Sequence, residues 1–492
     1  MLLHISSLPE QTGFGDFGGA RRFIDFLAST GMRVWQVLPL GPTHRDLSPY
    51  LCTSSMAGNP LFIDLDWLRE KGWLGGGVQT PASVDSLTYR MSCLQESFEC
   101  FKNISDTRWR GDYSGFIVTH SDWLNDFALY TALWNLHGGI PWMSWPASLR
   151  DYNRQALQQA NRDLADTIET IKFEQFIFYC QWLEIKAYAN AKGVLLFGDM
   201  PLYVAHDSAE VWSNRGYFQV DEVGKAKRVA GVPPDYFSAT GQKWGNPVYD
   251  WARMQADGFV WWVKRLQTQL ELYNLLRIDH FRGLQAYWEI PADAHNAAHG
   301  QWRLGPGATL LETLQRALGC LPLVAEDLGF ITREVLQLRD QFGLPGMKII
   351  QFAFDGSTDN PYLLHRHIEN CVVYTGTHDN DTTLAWYQKL PENVRAIVDR
   401  EMQQYCLNQT PGKNPVAPML WTLINYTLSS AAGLVILPMQ DILGLGEGYR
   451  LNTPGTTSGN WRWQFSWQQV TPDLTARLNR MLIRHRRVRV EE

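Results

Sequence analysis

Three apolar runs in this chain end in residues that can carry out acid–base chemistry. The runs span residues 275–279, 323–327 and 372–379, and their last residues include Asp279, Glu326 and Asp379. Continuous Val/Ile/Leu runs are typical of buried parallel strands, and in a barrel of alternating strands and helices the catalytic groups lie at the carboxyl ends of the strands. The sequence therefore predicts that these three carboxyl groups converge on one bond.

Arg277 and Asp279 are two residues apart on the first of these runs. Side chains at this spacing project to the same face of a strand, so the two are expected to touch inside the barrel mouth. An adjacent guanidinium lowers the pKa of a carboxyl group, which suits a nucleophile that must be ionised. A purely structural ion pair is the alternative interpretation of this spacing.

Glu326 is the counterpart of Asp279 at the end of the next run. A carboxyl group among other carboxylates has a raised pKa and can protonate a leaving group. The neighbouring Asp327 is expected to point elsewhere and to cap the loop. Two close carboxyl groups plus a third are the equipment for cleaving a glycosidic bond.

The last acidic run, His378-Asp379-Asn380-Asp381, poses a geometric problem. Strict strand alternation places His378 and Asp379 on opposite faces, so both reach one site only if the strand ends or bends first. Asp199 ends a further run at 194–198 and is expected to support the substrate or Arg277. A metal site is the competing interpretation of such acids, but they are scattered over several strands rather than set in metal-ligand spacing.

Eight apolar runs have the length and composition of buried strands. Helical periodicity follows several of them, for example at 21–30 and 332–342. Eightfold alternation of strand and helix predicts an α/β fold, a TIM (β/α)8 barrel that spans 1–492 as one catalytic domain. The runs lie at 2–5, 33–40, 194–198, 275–279, 321–325, 348–354, 372–375 and 433–438.

Two long intervals between these runs predict insertions. Residues 66–190, with helical periodicity at 123–137 and 154–188, are expected to form an inserted helical subdomain. A second insertion at 205–270 carries the Gly- and Pro-rich loop 231–247, which contains Tyr236, Phe237 and Trp244. Exposed aromatic side chains at a barrel mouth suit a substrate lid, although they could instead pack on the barrel rim. The short stretch after 438 leaves no room for a large C-terminal β-sandwich.

Composition excludes several classes of protein. With 492 residues, 45% hydrophobic and 19% charged, and a net charge of −6, the chain is typical of an ordinary globular protein and shows no polyanion-binding surface. The short basic stretch 484–489 is expected to be a solvated helix end rather than a nucleic-acid site. Seven cysteines without C-x-x-C spacing, no signal peptide and no membrane-spanning run favour a reducing cytoplasm.

The motifs, taken together, resemble the 4-alpha-glucanotransferases (amylomaltases) of glycoside hydrolase family 77, in the alpha-amylase clan. The resemblance runs from end to end and includes Arg-Ile-Asp-His-Phe-Arg-Gly at 277–283, Ala-Glu-Asp-Leu-Gly at 325–329 and Thr-Gly-Thr-His-Asp-Asn at 375–380. Further matching segments are 2–9, 35–42, 48–50, 58–60, 198–201, 231–247 and 455–461.

The resemblance implies a role for each site residue. Asp279 corresponds to the nucleophile, Glu326 to the acid/base and Asp379 to the residue that stabilises the transition state. It also implies a set of supporting and substrate-binding residues: Arg277, His378, Tyr50, Asp199, Tyr236, Phe237, Trp244 and Asn460.

The implied substrates are alpha-1,4-glucans and maltooligosaccharides, with glucose as an acceptor. We expect no cofactor, no metal, no nucleic acid and no membrane as partners, and a monomer or weak homo-oligomer. Two rivals remain: an alpha-amylase-type hydrolase, and a catalytically inactive barrel kept as a glucan-binding protein.

Overall fold

The apolar runs of the sequence pair into a ring of parallel strands. The computed structural model of the protein describes residues 1–9, 14–76, 86–234, 238–409 and 418–488. In these residues the strands are β1 Val34–Gln36, β2 Leu195–Pro201, β3 Arg228–Val232, β4 Gln242–Pro247, β5 Leu275–Asp279, β6 Ala286–Pro291, β7 Gln301–Leu304, β8 Leu323–Ala325, β9 Gly346–Ile349, β10 Cys371–Tyr374 and β11 Leu434–Ile436.

Two parallel sheets and one short bridge close the ring. The strands pair in the orders β1-β2-β5-β8 and β11-β10-β9. Leu2 bridges Gln36 on one side and Pro438 on the other. Between β8 and β9, the Ala325 N–H donates to the Pro345 carbonyl at 2.9 Å. The predicted TIM (β/α)8 barrel is therefore confirmed. The segment at Leu2 takes the place of its first strand.

The ends of the strands differ from the prediction in three places. The run 2–5 forms only the bridge at Leu2 and turns into a 3-10 helix at Ile5–Ser7. The run 348–354 contributes β9 but leaves the sheet after Ile349 for a 3-10 helix at Ile350–Phe352. The prediction that Asp199 ends its strand was wrong, because β2 continues to Pro201 and pairs Asp199 with Arg277.

The barrel interior is filled by side chains at two-residue spacing. Inward-facing residues of β1, β2, β8, β9, β10 and β11 form one buried apolar cluster: Val34, Phe197, Val324, Met347, Ile349, Val372, Tyr374 and Ile436. Asp199 and Arg277 follow Phe197 and Leu275 by two residues, so they continue the same inward face toward the carboxyl ends. The polar residues Asp199 and Arg277 therefore follow directly on the buried apolar cluster, on the side of the carboxyl ends of the strands.

Helices surround the barrel. In the described residues they are α1 Ala20–Thr30, α2 Leu65–Glu70, α3 Ser86–Lys102, α4 Thr107–Thr119, α5 Ser121–Leu136, α6 Ala147–Arg150, α7 Arg154–Asp163, α8 Ala165–Ala191, α9 Ala209–Ser213, α10 Trp251–Ala256, α11 Val260–Leu272, α12 Arg282–Gln285, α13 Gly307–Leu318, α14 Arg333–Gln341, α15 Thr383–Lys389, α16 Glu392–Gln409, α17 Met419–Leu428, α18 Met439–Ile442 and α19 Pro472–Arg484. Of these described helices, none combines the length and apolarity needed to cross a membrane.

The helices α2 to α8 occupy the interval between β1 and β2. The continuous helix suggested by the periodicity at 154–188 is two helices, α7 and α8, separated at Leu164. Asn153 caps α7 by accepting hydrogen bonds from the N–H groups of Gln155 and Ala156. The division of the chain into subdomains at 66–190 and 205–270 stays a prediction.

An antiparallel sheet lies beside the barrel and was not predicted. It has the order β4-β3-β6-β7, so it combines strands from before and after β5. The Gly- and Pro-rich segment 231–247 therefore includes one edge of a hairpin, with β3 and β4 paired antiparallel and Trp244 on β4. The sheet fixes the described parts of this segment, 231–234 and 238–247, at the side of the barrel mouth.

Within the basic stretch 484–489, Arg487 is less solvated than predicted, and Arg489 lies outside the described residues. Arg487 donates hydrogen bonds to the carbonyl groups of Leu428 at 3.1 Å, Ala432 at 2.5 Å and Ser430. These carbonyls lie at the end of α17 and in the turn that leads to β11. Arg487 thus stabilises the start of the last barrel strand.

Asp327 joins β8 to β9. One carboxylate oxygen accepts the Met347 N–H at 2.6 Å, and the other accepts from Arg339 at 2.6 Å. The carboxylate is buried, whereas Asp340, which also binds Arg339 at 2.6 Å, has a side chain 60% exposed. We expected Asp327 to cap the loop. In the structure it links β8 to β9 instead.

Asp327→Ala should destabilise the barrel by about 3 kcal/mol, because it leaves the Met347 N–H without an acceptor and the largely buried Arg339 guanidinium with only its exposed partner Asp340. The matched control, Asp340→Ala, removes an exposed partner of the same arginine and should change the free energy of unfolding by less than about 1 kcal/mol. Urea unfolding followed by circular dichroism measures both. Equal losses for the two variants would contradict this assignment.

Candidate active site

A cleft of about 1430 Å³ opens at the carboxyl ends of the barrel strands. The three predicted catalytic carboxyl groups, Asp279, Glu326 and Asp379, all line it. One wall comes from the antiparallel sheet and the other from the chain after β11. The other lining residues include Tyr50, Tyr203, Gln242, Trp244, Asn246, His280, Asn452, Thr453, Asn460 and Trp461.

A buried guanidinium joins two of the acids. Arg277 donates to both oxygens of Asp199, at 2.8 and 2.7 Å, and its other terminal nitrogen contacts Asp279 at 2.8 Å. The predicted contact between Arg277 and Asp279 is thus present. Asp199 is fully buried and also accepts a hydrogen bond from the Tyr50 hydroxyl at 2.8 Å. Asp199 therefore compensates the arginine charge and does not line the cleft.

Asp279 is harder to ionise than the sequence suggested. Burial raises its pKa to about 6, with further upward contributions from Asp199 and Asp379, while Arg277 acts in the opposite direction. The expected lowering by the guanidinium is real but smaller than the effect of burial. Near neutral pH the Asp279 carboxyl group is therefore ionised by a narrow margin.

Glu326 directly follows β8 and is held by two backbone N–H groups. Its Oε1 accepts from Leu328 at 2.9 Å and its Oε2 from His280 at 2.7 Å. His280 has a left-handed backbone with φ of 54°, and its N–H binds the carboxyl group that lies beside Asp279. Burial, and to a smaller extent the charge of Asp279, raises the pKa of Glu326 to about 7. This carboxyl group can therefore carry a proton at neutral pH, as an acid/base catalyst requires.

The strand before Asp379 ends early enough to resolve the alternation problem. β10 stops at Tyr374, and the Asn380 side chain closes a turn by accepting from the Thr377 N–H at 2.9 Å. The turn brings the Nε2 atom of His378 within 3.3 Å of Asp379 Oδ2. Both residues thus reach the same site from outside the strand.

Asp379 is partly exposed in the cleft and stays ionised. Burial on its own raises its pKa, but His378, the Asn452 side chain and Arg277 outweigh this effect and hold the pKa of Asp379 well below its usual range. Asn452 donates to Asp379 Oδ1 at 2.6 Å, and Arg450 donates to the Asp379 carbonyl. The site therefore contains one permanently negative carboxylate beside two that titrate near neutrality.

Tyr50 connects the two halves of the site. Its ring stacks on His378 with centroids 5.1 Å apart and planes at 16°, while its hydroxyl binds Asp199. Burial is the main reason why the pKa of Tyr50 is raised, so the phenol stays protonated and donates. One side chain thus positions both the Arg277 network and the Asp379 pair.

The remaining predicted residues lie on the cleft walls or outside the described residues. Trp244 meets His280 edge to face at 4.9 Å, and Asn460 stabilises the wall at 452–461 by accepting from the Thr453 N–H at 3.0 Å. Tyr236 and Phe237 lie outside the described residues. The described part of the loop thus contributes Gln242, Trp244 and Asn246 to the cleft.

Sequence reasoning missed several residues of the site. Asn452 and Arg450 bind Asp379 from a segment with no apolar run to signal it, and Trp461 packs beside Tyr50 with centroids 6.1 Å apart. His280 was visible inside the 277–283 motif, but its role was not. Its Nε2 atom is buried without a hydrogen-bond partner and belongs to a residue that lines the cleft, so it is ready for a ligand hydroxyl.

Among the described residues no group of three or more His, Cys, Asp or Glu side chains is arranged to hold a metal ion. The acids of the cleft bind Arg277, backbone N–H groups, His378 and Asn452 instead.

Asp279→Asn should stabilise the protein at pH 8 and leave it unchanged near pH 4. The folded state raises the pKa of Asp279 from 3.8 to about 6, so ionisation destabilises it increasingly as the pH rises through this window and constantly above it. Because 31% of the side chain is exposed, screening reduces the effect to about 2 kcal/mol.

Thermal unfolding at the two pH values measures this effect, with the exposed Glu312→Gln as the control. The asparagine can still accept from Arg277 through Oδ1, so the ion-pair geometry is kept. A melting temperature that falls at pH 8, or that rises equally at both pH values, would show that the charge of Asp279 is not destabilising.

Comparisons with known proteins agree with this geometry. The family described as 4-alpha-glucanotransferase matches residues 3–470. The 4-alpha-glucanotransferase of Thermus thermophilus is 45% identical over 98% of this chain and 97% of its own, and that of Synechocystis is 44% identical over 97% and 96%. The structure of amylomaltase from Streptococcus agalactiae in complex with acarbose superposes with a TM-score of 0.92 at 34% identity and covers 99% of both chains. The chain therefore belongs to the 4-alpha-glucanotransferase family.

Proposed function

We propose that this protein is a 4-alpha-glucanotransferase, which transfers a segment of an alpha-1,4-glucan to the 4-hydroxyl group of glucose or a maltooligosaccharide. The observation that carries the proposal is the pairing of Asp279 with Glu326 in one cleft, with the pKa of Asp279 near 6 and that of Glu326 near 7. Two neighbouring carboxyl groups with different protonation states are the acid/base and nucleophile of a retaining glycosidic mechanism.

In the first step Glu326 donates its proton to the glycosidic oxygen and Asp279 attacks the anomeric carbon. The bond between that carbon and the oxygen breaks, the leaving sugar departs with the proton, and a covalent glycosyl ester forms on Asp279. Arg277 fixes the attacking carboxylate through its 2.8 Å contact. After this step Asp279 is esterified and Glu326 is ionised.

In the second step the ionised Glu326 takes the proton of an incoming 4-hydroxyl group. The resulting oxygen attacks the anomeric carbon, the ester to Asp279 breaks, and the configuration at this carbon is retained after two inversions. Glu326 is well suited to both directions because a pKa of about 7 lets it give and take a proton near neutral pH.

Asp379 supplies the fixed negative charge of the site. Both transition states carry positive charge on the sugar ring, and a carboxylate that stays ionised stabilises this charge more in the transition state than in the ground state. His378 and Asn452 hold its two oxygens. We assign transition-state stabilisation to Asp379 and its orientation to these two neighbours.

The choice of a sugar over water must come from binding the acceptor. A bound hydroxyl group at high effective concentration competes with water, and a covered intermediate excludes it. Trp244 and the unpaired Nε2 atom of His280 lie on one wall of the cleft and offer a ring face and a hydrogen-bonding nitrogen. We infer that they bind the acceptor and that Tyr236, Phe237 and Asn460 are further substrate-binding residues.

We further infer that the protein works in the cytoplasm. The seven cysteines all lie in the described part of the chain and form no disulfide there, and disulfides are rare in reducing compartments. The monomeric or weakly oligomeric state, the absence of a cofactor and glucose as an acceptor stay predictions.

Maltotriose should be converted to glucose plus longer maltooligosaccharides while the total of reducing ends stays nearly constant, because each cleavage is followed by transfer to another sugar. Chromatography of the products with a parallel reducing-sugar assay measures both quantities. Asp279→Asn is the negative control and should reduce turnover by at least about 10⁴-fold, since it removes the nucleophile. If reducing ends rise in step with maltotriose loss, the protein is a hydrolase.

The transfer rate should follow a bell-shaped pH profile with limbs near 6 and 7. Activity falls below the lower limb as Asp279 is protonated, and above the upper limb as Glu326 loses its proton. Asn452→Ala should lower the rate at every pH without moving either limb, because it acts on Asp379. Initial rates between pH 4.5 and 9 test this, and a profile that stays flat from pH 5 to 9 would contradict the assignment.

A further inference from the structure

The loop that carries Asp379 is closed by one buried carboxylate. We call residues 375–383, from the residue after β10 to the first residue of α15, the acid loop. At one end of this loop, Asp441 on α18 accepts the Thr375 hydroxyl at 2.6 Å. At the other end it accepts the Thr383 hydroxyl at 2.6 Å and the Thr383 N–H at 2.7 Å. One side chain thus joins the two ends of the loop.

The middle of the acid loop has open space on both of its sides. Asp379 lines the catalytic cleft on one side. On the other side lies a cavity of about 410 Å³, which is lined by His378 and Asn380 of the loop and by His4 and Ser7 across from them. Packing holds a segment in place only where atoms are in contact. The position of the acid loop must therefore come mainly from its hydrogen bonds.

Asp441 is suited to fix a loop because it is itself fixed. Asp441, Thr375 and Thr383 are all almost completely buried, with exposed fractions of 1% or less. All three groups that donate to the carboxylate are neutral, so the contact depends on hydrogen-bond geometry rather than on an opposite charge. Burial raises the pKa of Asp441, while the hydrogen bonds from the two threonines lower it.

The segment from Asp441 to Asn452 also holds Asp379 directly. Asn452 donates to Asp379 Oδ1 at 2.6 Å. Between these two points the Thr382 hydroxyl donates to the Gly446 carbonyl at 3.0 Å. The acid loop and this segment are therefore joined at three successive places. Asp441 is the most deeply buried of them, since Gly446 and Asn452 are partly exposed.

We propose that Asp441 is a positioning residue for Asp379: by binding both ends of the acid loop, it sets the place from which the Asp379 carboxylate stabilises the transition state. Asp441 does not line the cleft, so it acts through the loop. The proposal rests on the proposed function, because the charge to be stabilised arises in glycosyl transfer. A displacement of about 1 Å at such a group costs on the order of 100-fold in rate.

Steady-state kinetics with maltotriose test the proposal. Asp441→Ala should lower kcat about 100-fold and change KM by less than about threefold, because Asp379 acts on the transition state rather than on bound substrate. Asp16→Ala is the matched control. Asp16 is 6% exposed, contacts Arg90 at 2.9 Å and does not line the cleft. Its loss should lower the melting temperature but keep kcat within about twofold, at an assay temperature well below both transitions.

Two conservative variants extend the test to proteins that keep the shape of the site. In Asp441→Asn, Oδ1 still accepts the Thr383 N–H and the amide group can donate to the threonine oxygens, so kcat should stay within about fivefold of wild type. Thr375→Val keeps the side-chain shape but removes one donor, and it should lower kcat about tenfold. A kcat unchanged in Thr375→Val, an asparagine no better than alanine, or an equal loss of kcat in Asp16→Ala would overturn the proposal.

Hydrogen exchange tests the position of the loop without any substrate. Amides in peptides that cover 375–383 should exchange at least about fivefold faster in Asp441→Ala and Thr375→Val than in wild type, because the loop opens more often. Peptides that cover 323–329, around Glu326, are the internal reference and should not change. Mass spectrometry measures both sets.

The two measurements separate this proposal from the proposed function. Faster exchange of the acid loop in a protein that makes no longer oligomers from maltotriose contradicts the function alone. Unchanged exchange in Asp441→Ala and Thr375→Val contradicts the role of Asp441, whether or not the protein transfers glucan.

Discussion

The ion pair between Arg277 and its two carboxylates is the constraint on which the site depends. A guanidinium this deeply buried destabilises the fold unless carboxylates surround it, and Asp199 meets that requirement with two contacts at 2.8 and 2.7 Å. Asp279 therefore contacts a cation whose charge is already compensated. Arg277 holds it in place and lowers its pKa, but burial, together with the charges of Asp199 and Asp379, outweighs the arginine and raises the pKa of Asp279 to about 6.

The ionisation of the other two acids, Glu326 and Asp379, is also set by their neighbours. Glu326 is held by backbone N–H groups, and burial raises its pKa. Asp379 is instead kept ionised by His378 and Asn452. Three identical functional groups thus acquire three different behaviours from their neighbours alone. Tyr50 connects these environments, since its ring contacts His378 and its hydroxyl contacts Asp199, so a disturbance of one half of the site reaches the other.

The parts of this structure that depend on local patterns could be predicted from the sequence. Apolar runs predict barrel strands because burial on both faces requires them, and two-residue spacing predicts the contact of Arg277 with Asp279. Contacts between distant segments carry no such pattern. Asn452 reaches Asp379 from a loop, and β6 and β7 join β3 across the intervening β5. The sign of the Asp279 shift was missed for the same reason, because burial is a property of the whole fold.

The closure of the barrel at Leu2 has a consequence for how the chain folds. The Leu2 N–H donates to the Leu437 carbonyl at 2.9 Å, and Leu3 binds Gln36 on the opposite side. The segment at Leu2 therefore cannot pair with Leu437 until almost the whole chain has left the ribosome. This takes about 20 to 90 s at typical rates of synthesis. During this time the side of the Leu2 segment that later pairs with Leu437 and Pro438 is unpaired. Closure of the ring is therefore a late, long-range step, and until it occurs an unpaired strand edge is open to self-association.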